Sequence, residues 1–361
     1  MNKIKVLVVD DSAVMRKTLT DILNGSSKIE VVGTALDPYI AVNKIKQLNP
    51  DVLTLDIEMP RMDGLTFLRK LMLANPMPVI MVSAFTDKGA LQTIQALEYG
   101  AVDFILKPRS DDNAEWDRFA SELREKVITA ASIQSDRFTA RSREKAIEVE
   151  EKFSADVILP KTVSKVRTTH SDVIIALGAS TGGTEVIAKI LSNLHENVPA
   201  IAIVQHMPEK FTEAFANRVN NNSKLYVKEA KDGDRLYRGT ALVAPGNRHM
   251  LVKCDASGYY VEINDGPPVN RHKPSVDVLF RSVAQNVSKS VGILCTGMGA
   301  DGAEGLGEIL QAGGVTIAQD EASSVVFGMP REAIKRGAAQ KVLNIEQMIA
   351  YINNFNKSST T

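Results

Sequence analysis

Five short strand-like runs, Ile4–Val9, Ile29–Ala35, Val52–Leu55, Val79–Val82 and Asp103–Leu106, recur through the first third of the chain. Between them, apolar residues fall at helical spacing: Met15, Leu19, Ile22 and Leu23, then Ala41, Ile45 and Leu48, then Leu65, Leu68 and Leu71, then Leu91, Ile94 and Leu97. Gly25 stands where the first of these helices should stop. Strands separated by whole helices cannot close hairpins; they must pair in parallel through crossovers. The pattern predicts a doubly wound α/β sheet with its functional groups at the carboxyl ends of the strands.

Those ends carry unusual chemistry. The first strand runs into Asp10 and Asp11, and the third into Asp56. Three carboxylates at one sheet edge repel each other unless a cation lies among them, and hard oxygen donors of this number suit Mg²⁺. The fourth strand ends in Ser83, a hydroxyl suited to a phosphoryl oxygen. The fifth ends in Lys107, whose ammonium neutralises such a group. Singly, each residue reads as solvated rim; together they read as a site.

The motifs Val-Val-Asp10-Asp11-Ser, Leu-Asp56-Ile-Glu-Met-Pro60, Met62-Asp63-Gly64, Val82-Ser83-Ala84 and Leu-Lys107-Pro108 resemble those of response-regulator receiver domains. The resemblance implies a flavodoxin-like (βα)5 fold over residues 1–128 and a histidine kinase as phosphodonor. It implies that Asp56 accepts the phosphoryl group, and that Asp10, Asp11, Asp56 and the backbone carbonyl of Glu58 hold Mg²⁺. Ser83 and Lys107 would sense the phosphate, with Phe104 as the switching aromatic.

A length of 361 residues exceeds what one core usually organises. Trp116, Phe119, Leu123 and Val127 recur at helical spacing and should close the first domain. Residues 109–159 hold no glycine or proline, and charges of both signs crowd 136–152. This reads as a linker over 129–167, a tether of mixed charge, since Glu144, Glu148, Glu150 and Glu151 spoil a basic arm. Lys+Arg and Asp+Glu are equal at 43 each, which gives no electrostatic case for nucleic acid as partner. Cys254 and Cys295 have no framework or zinc spacing around them. With no signal-peptide core and no apolar run of membrane length, a cytoplasmic protein without membrane insertion is expected.

Residues 168–361 read as a second α/β domain, mostly parallel, with antiparallel hairpins inserted over 236–264. The run Val173–Leu177 ends in Gly178-Ala179-Ser180-Thr181-Gly182-Gly183 and passes into a helical pattern, Val186, Ile187, Ile190, Leu191 and Leu194. A serine among small residues at a strand-to-helix turn satisfies the G-x-S-x-G pattern of a nucleophile elbow, although a glycine-rich binding loop has the same letters. Two more strands, Ala200–Val204 and Val291–Cys295, lead into Gln205-His206-Met207-Pro208 and Thr296-Gly297-Met298-Gly299-Ala300-Asp301-Gly302. A helix is expected from Ser275 through Val283, and a further strand over Val315–Ala318.

Ser180, His206 and Asp301 could therefore meet as nucleophile, base and orienting carboxylate. Their chain order is not the Ser–Asp–His of α/β-hydrolases. Backbone N–H groups at Thr181 and around Met298 are oxyanion-hole candidates. His272 is the main rival base; His206 is favoured because a strand end fixes it better than a proline-flanked loop. His195 reads as an exposed cap, His170 as linker edge and His249 as structural. Asp277, inside a helix, and Asp320 compete less well with Asp301.

The segments GASTGG (178–183), QHMP (205–208), APG (244–246), VNRHKPSVD (269–277) and TGMGADG (296–302) resemble the catalytic domain of chemotaxis protein-glutamate methylesterases. The resemblance implies Ser180, His206 and Asp301 as the triad, hydrolysis of glutamate γ-methyl esters on chemoreceptors, and deamidation of receptor glutamines. With the receiver it implies activation by phosphorylation. A phosphorylation-dependent adaptor without turnover is the alternative.

Overall fold

The computed structural model describes residues 3–84, 86–110, 112–133 and 169–355. They fall into two compact units, one within Met1–Pro160 and the other within Lys161–Thr361. The linker expected over 129–167 lies, from residue 134 onward, outside the described residues.

In the first unit, strands β1 (Ile4–Val9), β2 (Ile29–Ala35), β3 (Val52–Asp56), β4 (Val79–Ser83) and β5 (Asp103–Leu106) pair in parallel in the order β2-β1-β3-β4-β5. Helices α1 (Ala13–Asn24), α2 (Pro38–Leu48), α3 (Gly64–Ala74), α4 (Asp87–Glu98) and α5 (Asn113–Ala131) alternate with them. The helix starts are built by side-chain caps: Ser12, Asp37, Asp63, Thr86 and Asp112 each accept a first-turn N–H. The core strands are buried throughout, Val6–Val9 and Val52–Leu55 included, as a sheet covered on both faces requires. Phe119, Leu123 and Val127 bury one stripe of α5, and Trp116 packs edge-on against Phe119. Gly25 caps the C-terminus of α1, where the sequence places the helix stop, with φ −65°. The strand order reverses between β1 and β3, so Asp10 and Asp56 emerge side by side.

The second unit holds a seven-stranded parallel sheet in the order β14-β13-β12-β6-β7-β9-β8. Its strands are β6 (Ile174–Ala179), β7 (Ala200–Gln205), β8 (Tyr226–Glu229), β9 (Thr240–Val243), β12 (Ser290–Leu294), β13 (Val315–Gln319) and β14 (Lys341–Leu343). The helices are α6 (Gly183–Ser192), α7 (Phe211–Asn221), α8 (Val276–Asn286), α9 (Ala303–Gln311), α10 (Met329–Lys335) and α11 (Ile345–Asn353). Ile174 and Ala176 share a core with Val276, Leu279, Phe280, Leu306 and Met329 on one face. Strand alternation turns the buried Ile175 and Leu177 to the other face.

One expectation changes. Residues 236–264 are not hairpins throughout: β9 joins the main sheet in parallel between β7 and β8, and only β10 (His249–Asp255) and β11 (Gly258–Asn264) form an antiparallel ribbon. Strand β9 is fully buried, which is what a central parallel strand needs and a solvent-facing hairpin does not. Strands β8 and β14 went unread because they are short, partly exposed sheet edges. Among the described residues no helix is long and apolar enough to cross a membrane. Cys254 is exposed and Cys295 buried, and both are free thiols.

Candidate active site

Strand β6 lies between β7 and β12, and register carries the chemistry with it. Ala179 pairs with Gln205 and Gly178 with Leu294, so the residues after each strand emerge at one level. The His206 N–H donates to the Ala179 carbonyl at 3.2 Å, and the Ser180 N–H to the Thr296 carbonyl at 3.0 Å. Gln205 ties two loops together: its Nε2 donates to the carbonyl of Ser180 at 2.9 Å and to that of His206 at 3.4 Å. Ser180 itself is half-buried, and Gly182 (φ 75°) turns the chain into α6, whose N-terminal end faces back toward the serine loop. Glycine at 297 is dictated by close approach: a Cβ there would stand 2.7 Å from Ser180 Cβ and 2.2 Å from Met329 Sδ.

His206 and Asp301 meet directly, with Nε2 2.8 Å from Oδ2. The other ring nitrogen, Nδ1, is buried and has no hydrogen-bond partner. The nitrogen roles are thus the reverse of the serine-protease arrangement, where Nδ1 faces the carboxylate. Ser180 and His206 stand on adjoining strand ends, but no hydrogen bond joins the Ser180 hydroxyl to Nδ1.

Asp301 is only 2% exposed, yet it is fully provided for. Its Oδ1 accepts from Ser275 Oγ (2.8 Å), Asn270 Nδ2 (3.0 Å) and the Asp277 N–H (3.3 Å); its Oδ2 accepts from the Val276 N–H (2.7 Å) as well as facing His206. The carboxylate sits at the N-terminus of α8, where helix N–H groups welcome an anion. Burial alone would raise its proton affinity. The bond and charge of His206, with the bonds from Asn270 and Val276, outweigh that and hold the carboxyl below its ordinary range.

Asp277 does lie in a helix, in the first turn of α8, and it is buried beside Asp301. Burial pushes its carboxyl up to about 6; the Gly305 N–H opposes this and the Asp301 charge adds to it. Asp320 caps its own turn through Ser323. His272, the rival base, lies against His206: the two rings stack, centroids 3.7 Å apart and planes 13° apart. His249 is buried, and its Nδ1 accepts from the Ser275 N–H at 3.2 Å while Nε2 faces the Pro267 carbonyl. His195 is exposed, and His170 is exposed against Tyr237. Thr181 is buried next to the serine, its carbonyl accepting from Thr296 Oγ1, and Met298 lies in the turn after β12. The parts that sequence reasoning missed are Asn270, Ser275 and Gln205. Ser275 had one available signal, a serine directly before an apolar helical run.

In the first unit, ligand atoms of Asp10, Asp11 and Asp56 all lie within 4.8 Å of one another. Lys107 Nζ stands 2.7 Å from Asp56 Oδ2 and 2.9 Å from Asp10 Oδ2. Burial pushes the Asp56 carboxyl up to about 6 against the pull of Lys107, and the Asp10 charge adds to the rise. Burial would lower Lys107, but Asp56 and Asp10 outweigh it and hold the ammonium above its ordinary value. One ammonium therefore shares two buried carboxylates, with the exposed Asp11 alongside, which is a donor set that fits a hard divalent cation. Ser83 Oγ accepts from Thr93 Oγ1 at 3.0 Å, and Phe104 is buried on β5. Glu58 is exposed in the loop after β3.

This geometry sets a stability prediction. A folded-state carboxyl raised from 3.8 to about 6 binds protons more tightly than the unfolded one, so folding loses stability as pH rises through that window. Asp56→Asn should therefore stabilise the first unit by about 1–3 kcal/mol at pH 7 in chelator. The gain should vanish near pH 4 and shrink when Mg²⁺ is added. Calorimetry of the full chain checks it; a gain equal at both pH values would contradict the charge argument.

Comparison with known proteins bears on both units. A response regulator receiver domain model matches residues 6–115, and a CheB methylesterase model matches residues 175–352. A protein-glutamate methylesterase/protein-glutamine glutaminase of Hydrogenovibrio crunogenus is 49% identical over 374 residues, covering 98% of this chain and 100% of that protein. Another so named, from Rhodospirillum rubrum, is 52% identical over 352 residues, covering 96% of each. The crystal structure of the Thermotoga maritima CheB methylesterase catalytic domain superposes with a TM-score of 0.50 at 34% identity, covering 52% of this chain and all of that one. The class is that of carboxylic ester hydrolases joined to a response-regulator receiver. Within it, the chain belongs to the CheB methylesterase family.

Proposed function

We propose that this protein is a cytoplasmic, phosphorylation-activated esterase that hydrolyses glutamate γ-methyl esters, and deamidates glutamines, on chemoreceptors. The observation that carries the reading is the His206–Asp301 pair, tied to the serine loop by the bond from the His206 N–H to the Ala179 carbonyl, one residue before Ser180. Ser180 Oγ attacks the ester carbonyl carbon while His206 Nδ1 takes its proton, and Asp301 stabilises the resulting imidazolium. The carbonyl oxygen becomes an oxyanion facing the backbone N–H groups of Thr181 and the Met298 turn, at the N-terminal end of α6. The tetrahedral adduct collapses, the C–O bond to the methoxy group breaks, and His206 returns its proton to release methanol. Water, deprotonated by the same imidazole, then cleaves the acyl-enzyme to a glutamate carboxylate and free Ser180. With a glutamine substrate the leaving group is ammonia.

In the receiver, Asp56 accepts a phosphoryl group from a histidine kinase. Asp10, Asp11, Asp56 and the Glu58 carbonyl would hold Mg²⁺, which supplies positive charge for the phosphoryl oxygens. Lys107 and Ser83 then face new acceptor oxygens, and with Phe104 they form the two-state surface that responds. The test is methanol release from methylated receptor, with and without a small phosphodonor. Asp56→Asn should keep basal turnover and lose the stimulation; a normally stimulated variant would remove the regulatory half of the reading.

A further inference from the structure

A single turn touches both members of the His–Asp pair. Val269 and His272 exchange two backbone hydrogen bonds, Val269 N–H to the His272 carbonyl at 3.0 Å and His272 N–H to the Val269 carbonyl at 2.9 Å. The residues between them, Asn270 (φ 52°) and Arg271 (φ 69°), are both left-handed, the backbone of a type I′ turn. Neither is glycine. Asparagine tolerates this region better than most residues, but arginine at the second position adds strain of the kind held at functional sites. The strained backbone has a visible result. Asn270 Nδ2 reaches both Asp301 Oδ1 (3.0 Å) and Asp277 Oδ2 (2.6 Å), and two residues later the imidazole of His272 lies flat on that of His206.

We infer that the Val269–His272 turn is a positioning clamp, in which Asn270 holds the Asp301 carboxylate and His272 holds the plane of the His206 ring. The inference rests on the triad reading above. One hydrogen bond at Nε2 fixes a single atom of the His206 ring and leaves the ring free to tilt about it. An aromatic face in van der Waals contact removes that freedom and aims the unpartnered Nδ1. Asn270 acts at the other end of the same bond. It neutralises none of the charge on Asp301 and Asp277, but spans the two carboxylates and keeps Oδ2 of Asp301 turned to His206. His272 and Asn270 are thus positioning residues, required for aim and not for proton transfer.

The test compares His272→Ala, His272→Phe and Asn270→Ala in the full chain. It reads kcat and KM for methanol release, the acid limb of the pH–rate profile, and the rate at which a fluorophosphonate labels Ser180. His272→Ala and Asn270→Ala should lower kcat about 10–100-fold, the scale of a small misplacement of reacting groups, with KM within about twofold. His272→Phe should recover most of the loss, because a phenyl ring stacks but cannot carry a proton, and should keep the wild-type acid limb. Wild-type turnover in His272→Ala would overturn the clamp, as would His272→Phe being no better than His272→Ala. Loss of the acid limb in His272→Phe would overturn it by making His272 the base. Failure of the wild-type protein to label at Ser180 would instead strike the triad reading beneath it.

Discussion

Ser180→Ala eliminates methanol release from methylated receptor, a fall in kcat of about 10⁵–10⁶-fold toward the small residue that oxyanion donors and binding alone provide. The size follows from what the substitution removes. His206 and Asp301 remain paired at 2.8 Å, and the backbone donors after β6 and β12 stay where they are, but no oxygen is left to form the acyl-enzyme. The fold should tolerate the change, since Ser180 is half-buried and its held groups are the backbone N–H and carbonyl. Phosphorylation of Asp56 should be untouched, which separates a dead esterase from a misfolded chain. Methanol release and phosphorylation measured on one preparation decide the matter. Hydrolysis retained at even a hundredth of wild type would take the nucleophile's role away from this serine, and equal fluorophosphonate labelling of both proteins would do the same.

What sequence can and cannot show is plain from where these groups come from. The bounds of β1, β2 and β5 were legible to the residue, although β2 and β5 are sheet edges, because each lies between helical patterns whose spacing limits it. Strands β8 and β14 were not, since a short edge strand has one wet side and little apolar signal. Asp10, Asp56 and Lys107 could be brought forward as strand-end residues, but that one ammonium bridges both carboxylates depends on the reversal of strand order between β1 and β3. The second site divides in the same way. Residue type and strand ends point to Ser180, His206 and Asp301 as a set. The cradle of Asp301 is assembled from Asn270, Ser275 and the first N–H groups of α8, 24 to 31 residues away in the chain, and no local pattern announces it. His272 shows the limit most clearly: sequence reads an imidazole as a competing base, and only packing reveals it lying on the ring it seemed to rival.

Asp301→Asn lowers kcat by about 10⁴-fold while leaving the protein folded, a loss out of proportion to one exchanged atom. The direction of the surrounding hydrogen bonds explains it. Three donors converge on Oδ1, from Ser275, Asn270 and the Asp277 N–H, so the amide of the variant must place its oxygen there and its NH₂ at the Oδ2 position. That NH₂ then donates toward His206 Nε2, which has to become an acceptor. The proton moves to Nδ1, the nitrogen on the serine side, and the base is lost by tautomer without any movement of the ring. The Val276 N–H, which donates to Oδ2, meets the NH₂ head-on, so a modest loss of stability of about 1–3 kcal/mol accompanies the kinetic one. Part of it has a pH signature. A carboxyl held below its ordinary range contributes stability that is complete at neutral pH and lost only as pH falls through the lowered folded-state value. The gap between wild type and Asp301→Asn should therefore be widest at neutral pH and close in strong acid. Labelling of Ser180 should slow in parallel with methanol release, because both need the same deprotonated Nδ1. Turnover of Asp301→Asn within about tenfold of wild type would mean that the carboxylate does not set the proton's place on His206, and the reversed roles of the two ring nitrogens would have to be abandoned.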